Sequence, residues 1–180
     1  VAAAANAAKF WATRGGFHAE IVGTEKTGQV HFLFTGPHQS LTSFIHDVKP
    51  TLLKETDAIT KNMRKRGGGI LDIELIDSTK NMANYYQLHV RFETADAMGA
   101  NFINSCLEQL AQTLQNEAAT YEHFSETEKQ IEVVMSILSN YVPGSRVKSW
   151  VSCPIEELGD DGDVLAKKFV QAVEIAHHNN

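Results

Sequence analysis

Cysteine is scarce: only Cys106 and Cys153 occur among 180 residues. They stand far apart, form neither a metal pair nor a redox motif, and give no disulfide framework. A reducing, cytoplasmic setting is expected. Long apolar runs are absent too. Mean hydropathy is −0.23, and no stretch approaches the roughly 20 residues of a membrane helix. Positive charge is in deficit: 16 Lys and Arg against 22 Asp and Glu give a net charge of −6. That balance argues against the broad basic footprint of a nucleic-acid binder. No initiator Met and no basic segment leading into an apolar core open the chain, so no signal peptide is expected. The start, Val1-Ala2-Ala3-Ala4-Ala5-Asn6, reads as a helix under way, and Ala172 to Asn180 as a helix end. The expectation is an internal piece of a larger protein. What is present, 43% hydrophobic and 21% charged residues, is ordinary globular composition.

Residues 1 to about 13 predict an Ala-rich helix stopped by Arg14-Gly15-Gly16. Residues 17–23 and 29–35 alternate around Glu25-Lys26-Thr27-Gly28, the pattern of a β-hairpin. Leu41, Phe44, Ile45, Val48, Leu52, Ile59 and Met63 recur near helical spacing. Pro50 falls inside that run and predicts a kink, or a break with Pro50 opening a second segment. Leu71, Ile73 and Leu75 mark one strand; Tyr86, Leu88, Val90 and Phe92 mark its partner. Phe102, Ile103, Cys106, Leu107, Leu110, Ala111 and Leu114 form one helical stripe. Residues 131–138 give a further strand, residues 147–153 a β-like run, and Pro154 opens a helical region. The central order is strand, helix, strand, strand, helix, strand. It predicts an α+β, ferredoxin-like split βαβ sandwich: an antiparallel sheet with two helices on one face. An N-terminal helix and hairpin and a C-terminal helical segment are added to it.

Asp96-Ala97-Met98-Gly99-Ala100-Asn101 sits where a strand meets a helix. Asp96 can cap that helix, and the small residues let a ligand approach its first amides, which favour anionic or carbonyl groups. Packing alone also explains a capped helix close to a sheet. Gly67-Gly68-Gly69 is a second oddity, because a helix stop needs only one glycine. No Gly-Lys-Ser/Thr follows it and no G-x-G-x-x-G opens a βαβ unit, so it is neither a Walker A loop nor a Rossmann fingerprint. Lys61, Arg64, Lys65 and Arg66 crowd the preceding helix end. They complement the helix dipole or offer a phosphate site. The eight histidines show no zinc spacing, Gly159-Asp160-Asp161-Gly162-Asp163 lacks EF-hand order, and no metal site is expected. Neither cysteine has an evident base partner.

Gly67-Gly68-Gly69-Ile70-Leu71-Asp72-Ile73-Glu74, Asp96 to Asn101, and Ile137-Leu138-Ser139-Asn140-Tyr141 together resemble class II hydroxymethylglutaryl-CoA (HMG-CoA) reductase. The Ala-rich start running into Arg14-Gly15-Gly16-Phe17 fits that class as well. The resemblance implies a small cofactor-binding domain with flanking segments. Residues 1–16 would be a large-domain helix, 17–142 the ferredoxin-like NAD(P)-binding domain, and 143–180 the return to the large domain. It implies reduction of HMG-CoA to mevalonate and coenzyme A with NADPH or NADH, in a cytoplasmic homodimer without membrane or nucleic-acid partners. Asp96, Met98, Gly99 and Asn101 would approach the nicotinamide end, and Asn140 the reaction centre. The adenosine ribose would meet residues before the glycines: Thr60, with Lys61, Arg64 and Lys65 around it. NAD-using members carry an acidic residue where this chain has Thr60, so NADPH is favoured. The family's catalytic Glu, Lys, Asp and His match no position here, and the chain alone is expected to be inactive. The competing class is a ferredoxin-like interaction or RNA-binding module. Against it stand the acidic charge and the placement of Tyr86 and Phe92 on the core face.

Overall fold

The computed structural model describes residues 1–178; Asn179 and Asn180, assigned above to the last helix end, lie outside the described residues. The elements in chain order are α1 (Ala2–Ala12), β1 (Phe17–Thr24), β2 (Lys26–Leu33), α2 (His38–Glu55), α3 (Asp57–Arg64) and β3 (Gly69–Asp77). They continue with β4 (Tyr85–Glu93), α4 (Ala100–Thr120), β5 (Glu132–Leu138), β6 (Ser145–Val151), a 3-10 turn (Ile155–Leu158) and α5 (Gly162–His178). The chain divides into two compact units, residues 23–146 and residues 1–22 with 147–180.

Residues 23–146 carry a four-stranded sheet of order β3-β4-β2-β5. The β3–β4, β4–β2 and β2–β5 pairs are antiparallel. This is the strand order of the split βαβ plan. Alternation fixes its core face: Gly28, Val30 and Phe32 of β2 and Tyr86, Leu88, Val90 and Phe92 of β4 point one way. The helices supply the opposing stripes, Leu41, Phe44, Ile45, Val48 and Leu52 from α2 and Ile103, Cys106, Leu107, Leu110 and Leu114 from α4. Phe32, Phe34, Phe44 and Phe92 are essentially inaccessible, and each such burial is worth about 1.5–3 kcal/mol. Cys106 belongs to this core, where burial pushes its thiol up to about 12; it is inert packing.

Three sequence expectations change here. The hairpin does not form: only Glu25 separates β1 from β2, and the two strands enter different sheets, β1 pairing with β6. Gly28 is not a turn residue but lies under α4, where a Cβ would sit 2.6 Å from Leu107 Cδ1. Pro50 neither breaks α2 nor opens a second segment. It lies inside an unbroken helix whose buried stripe continues on both sides of it, and that packing outweighs the lost backbone hydrogen bond. The chain breaks later, at Thr56, whose hydroxyl donates to Leu53 O at 2.7 Å. Finally, Leu71 does not share a face with Ile73 and Leu75. The register moves from Ile70↔Phe92 to Asp72↔Arg91, leaving Leu71 unpaired in a β-bulge and 48% exposed. Val134 is a second such residue, skipped between Val133↔Phe32 and Met135↔His31.

In the other unit, α1 ends in Gly15 and Gly16, both at positive φ. Trp11 packs edge-on against Phe169 of α5, and Arg14 lies over the Phe10 ring and donates to Glu157 O at 2.9 Å.

Candidate functional site

The sheet register brings the singled-out segments together. Gly69 pairs with Glu93, Lys26 with Phe92, and Gly28 with Leu138. The start of β3, the end of β4 and the end of β5 therefore share one end of the sheet. Gly67–Gly69, the loop 94–99 and Ser139-Asn140-Tyr141 all emerge there. Two hydrogen bonds fix the third segment. The Leu138 N–H donates to Asn104 Oδ1 of α4 at 3.0 Å, and the Ser139 N–H donates to Thr27 O at 2.8 Å. Asn140 follows them, exposed.

The loop between β4 and α4 departs from its predicted capping. No side chain caps α4; its N-cap is Gly99 in the left-handed region, φ 76. A Cβ on Gly99 would meet Thr94 Cγ2 at 2.5 Å, so conformation and space both demand glycine. Asp96 stands three residues before the cap, too early to reach the first amides. Its carboxylate instead pairs with the Arg66 guanidinium. The first intrahelical bond runs from Ile103 N–H to Gly99 O at 2.8 Å. The N–H groups of residues 100–102 thus open the positive end of a 21-residue helix. Met98 is 79% exposed, and Asn101 is exposed beside it. Thr94 braces the loop, its hydroxyl donating to Ala97 O at 2.7 Å. Ala95 is a non-glycine residue at φ 53.

The chain itself accounts for the glycine triplet. Gly67 and Gly69 adopt positive φ, and a Cβ on Gly68 would lie 2.5 Å from Glu93 O. Gly67 alone faces open space. The basic cluster is divided. Arg64 pairs with Asp57 at 2.8 Å, Arg66 with Asp96, and Lys61 and Lys65 are exposed. Thr60 is buried, with its hydroxyl donating to Thr56 O at 3.0 Å, so that hydroxyl is already engaged. Thr60, Arg64, Asp57, Leu53 and Ile70 nonetheless line one cavity of about 360 Å³. A larger cavity of about 810 Å³ lies at Ile155–Val164. Glu156, Asp160, Asp161 and Asp163 wall it, an unfavourable setting for an anionic ligand. Among the described residues no three His, Cys, Asp or Glu side chains group as a metal site, and no helix is long and apolar enough to cross a membrane.

Sequence reasoning thus found the loop and missed its supports, Glu93, Thr94, Asn104 and the Arg66–Asp96 pair. A polar residue on the helix face toward a strand, as at Asn104, is the one signal that could have been seen.

The fold and site define an α+β domain with a helix-start loop suited to an anionic or carbonyl ligand, and without a Rossmann unit. The family model for hydroxymethylglutaryl-coenzyme A reductase matches residues 1–180, and the chain belongs to that family. The 3-hydroxy-3-methylglutaryl-coenzyme A reductase of Archaeoglobus fulgidus is 29% identical over 112 residues, covering 62% of this chain and 26% of that protein. The class II reductase of Streptococcus pneumoniae, solved bound to NADPH in open conformations, aligns with a TM-score of 0.71 and 28% identity. That match covers 97% of this chain and 45% of the other. A second structure of the S. pneumoniae enzyme gives a TM-score of 0.72 at 28% identity, covering 97% of this chain and 39% of that one. The chain spans less than half the length of these relatives.

Proposed function

We propose that this chain is the nicotinamide-cofactor-binding portion of an oxidoreductase that reduces HMG-CoA to mevalonate and coenzyme A in two hydride transfers. The observation that carries this reading is the convergence of the loop 94–99, the glycine triplet and Asn140 at one sheet end, in a chain of the reductase family. The uncapped amides at residues 100–102 fit a polar or anionic group of the cofactor, and Gly99 keeps side-chain bulk away from them. When bound, the nicotinamide supplies the hydride. Asp96, Met98, Gly99 and Asn101 would bind and orient its end of the cofactor, and Asn140 would lie near the reacting carbonyl.

The adenosine end is assigned to the Thr60–Arg64 cavity. Thr60 acts there by lacking a carboxylate, since its hydroxyl is spent inside α3. Arg64 and Lys54 line that cavity, Lys61 and Lys65 stand exposed on neighbouring positions of the chain, and Arg64 offsets the one carboxylate on its wall, Asp57. A 2′-phosphate is favoured by such cations, so NADPH is used at least as well as NADH. Residues 17–142 are assigned to the cofactor domain, and residues 1–16 and 143–180 to a large domain. A cytoplasmic homodimer is proposed for the whole enzyme.

Groups that stabilise the developing oxyanion and protonate the leaving thiolate are assigned outside residues 1–180. The test is absorbance loss of NADPH or NADH with HMG-CoA, for the full-length protein and for residues 1–180 alone. The full-length protein turns over with NADPH at least as efficiently as with NADH, and the chain alone does not. Comparable turnover by the chain alone would refute the placement of those groups, and a strong NADH preference would refute the adenosine assignment.

A further inference from the structure

One carboxylate stands behind the whole loop. Glu93, the last residue of β4, is half-buried and meets three segments. Its Oε1 accepts the Ala95 N–H at 2.7 Å, and its Oε2 accepts the Thr24 hydroxyl. Its main chain pairs with Gly69 and lies against Gly68. Ala95 is held at φ 53, a region that L-residues seldom adopt. Asp96, Met98, Gly99 and Asn101 all follow that strained residue, so its conformation sets where each of them stands.

We infer that Glu93 is a positioning residue for cofactor binding. Its two carboxylate oxygens clamp Ala95 and Thr24 and so preset the loop 94–99 before the cofactor arrives. The inference rests on the cofactor reading above. A loop already in its bound shape costs less affinity than one ordered on binding. The clamp needs geometry more than charge. A glutamine keeps one oxygen for the Ala95 N–H and turns its amide toward the Thr24 hydroxyl, which can accept as well as donate. An alanine keeps neither bond.

The experiment uses the full-length protein and titrates NADPH and NADH by nucleotide fluorescence against wild type, Glu93→Ala, Glu93→Gln and Thr24→Val. KM is measured for the cofactor and for HMG-CoA. Loss of preorganisation raises the Kd of Glu93→Ala by about fivefold or more, leaves Glu93→Gln within about twofold, and places Thr24→Val between them. The cofactor KM rises and the HMG-CoA KM does not; a mere loss of folded protein lowers kcat alone. Thr24→Val keeps side-chain volume and supplies the answer if Glu93→Ala does not fold. An unchanged Kd in Glu93→Ala, or in Thr24→Val where the alanine variant fails, overturns the clamp alone. A Glu93→Gln variant as weak as Glu93→Ala also overturns it, in favour of a charge effect. A wild type that binds neither nucleotide overturns the cofactor reading, and the inference with it.

Discussion

The guanidinium of Arg66 pairs with the carboxylate of Asp96, joining the segment before the glycine triplet to the loop before α4. Both side chains are more than half exposed, and such pairs contribute about 0–1 kcal/mol. With no cap to lose, Asp96→Ala costs less than about 1 kcal/mol of stability. It nevertheless weakens cofactor use in the full-length protein. Denaturant unfolding and cofactor KM separate the two effects. A loss near 2 kcal/mol would restore the capping role, and an unchanged KM would remove Asp96 from the cofactor site.

Gly99→Ala is the more damaging change. The left-handed conformation costs an L-residue about 1–2 kcal/mol, and the new Cβ meets Thr94 Cγ2. The expected loss is about 2 kcal/mol or more, read from the urea midpoint. A loss below about 0.5 kcal/mol would mean that the loop relaxes freely.

Asp72 predicts an acid-sensitive step. The hydrogen bond from Lys49 holds its carboxyl at about 2, opposed by burial and aided by the Ile73 N–H. An unfolded Asp titrates near 3.9, so as pH falls the unfolded chain takes the proton first. The stabilisation is whole above about pH 5 and is lost as pH approaches 2. Asp72→Asn is therefore less stable than wild type at neutral pH, and the gap closes toward pH 2. A gap independent of pH would show that packing, not charge, sets the cost.

His31 predicts a second, milder pH dependence. His31 Nδ1 and the Tyr85 hydroxyl share a hydrogen bond at 2.7 Å, and Gln87 donates to the same hydroxyl. Its Nε2 is buried without a hydrogen-bond partner, so a second ring proton on His31 would have nothing to bond to. Burial lowers the imidazole pKa below 6.5. The unfolded chain binds a proton first, so stability declines as pH falls from 6.5 through the folded value. His31→Gln flattens this decline in thermal unfolding between pH 7.5 and 5. An unaltered slope would assign it to another histidine.

Much of this fold was legible because local pattern and burial agree. Tyr86, Leu88, Val90 and Phe92 alternate in the sequence and all four are buried. The α4 stripe from Ile103 to Leu114 is buried in the same core. What was illegible depends on partners distant in the chain. β1 pairs with β6, so its apparent hairpin with β2 could not be judged locally. The Leu71 bulge exists only relative to the β4 register. The loop 94–99 was visible in outline from Gly99 and its small neighbours. Asp96 was misassigned as a cap because its true partner, Arg66, lies on another loop. Glu93 looked like one more outward strand residue, since nothing nearby announces the Thr24 hydroxyl as its ligand.

The two bulges also bear on self-association. β3 and β5 are the outer strands of the four-stranded sheet, and each carries one skipped residue, Leu71 or Val134. An even outer strand is a template on which a second molecule can extend the sheet. A skipped residue bends and overtwists the strand and puts its free amides and carbonyls out of step with a straight incoming partner. Leu71 and Val134 are apolar and exposed, yet each sits where the ladder is broken. Polymerisation through either rim of this sheet would first require that irregularity to be ironed out.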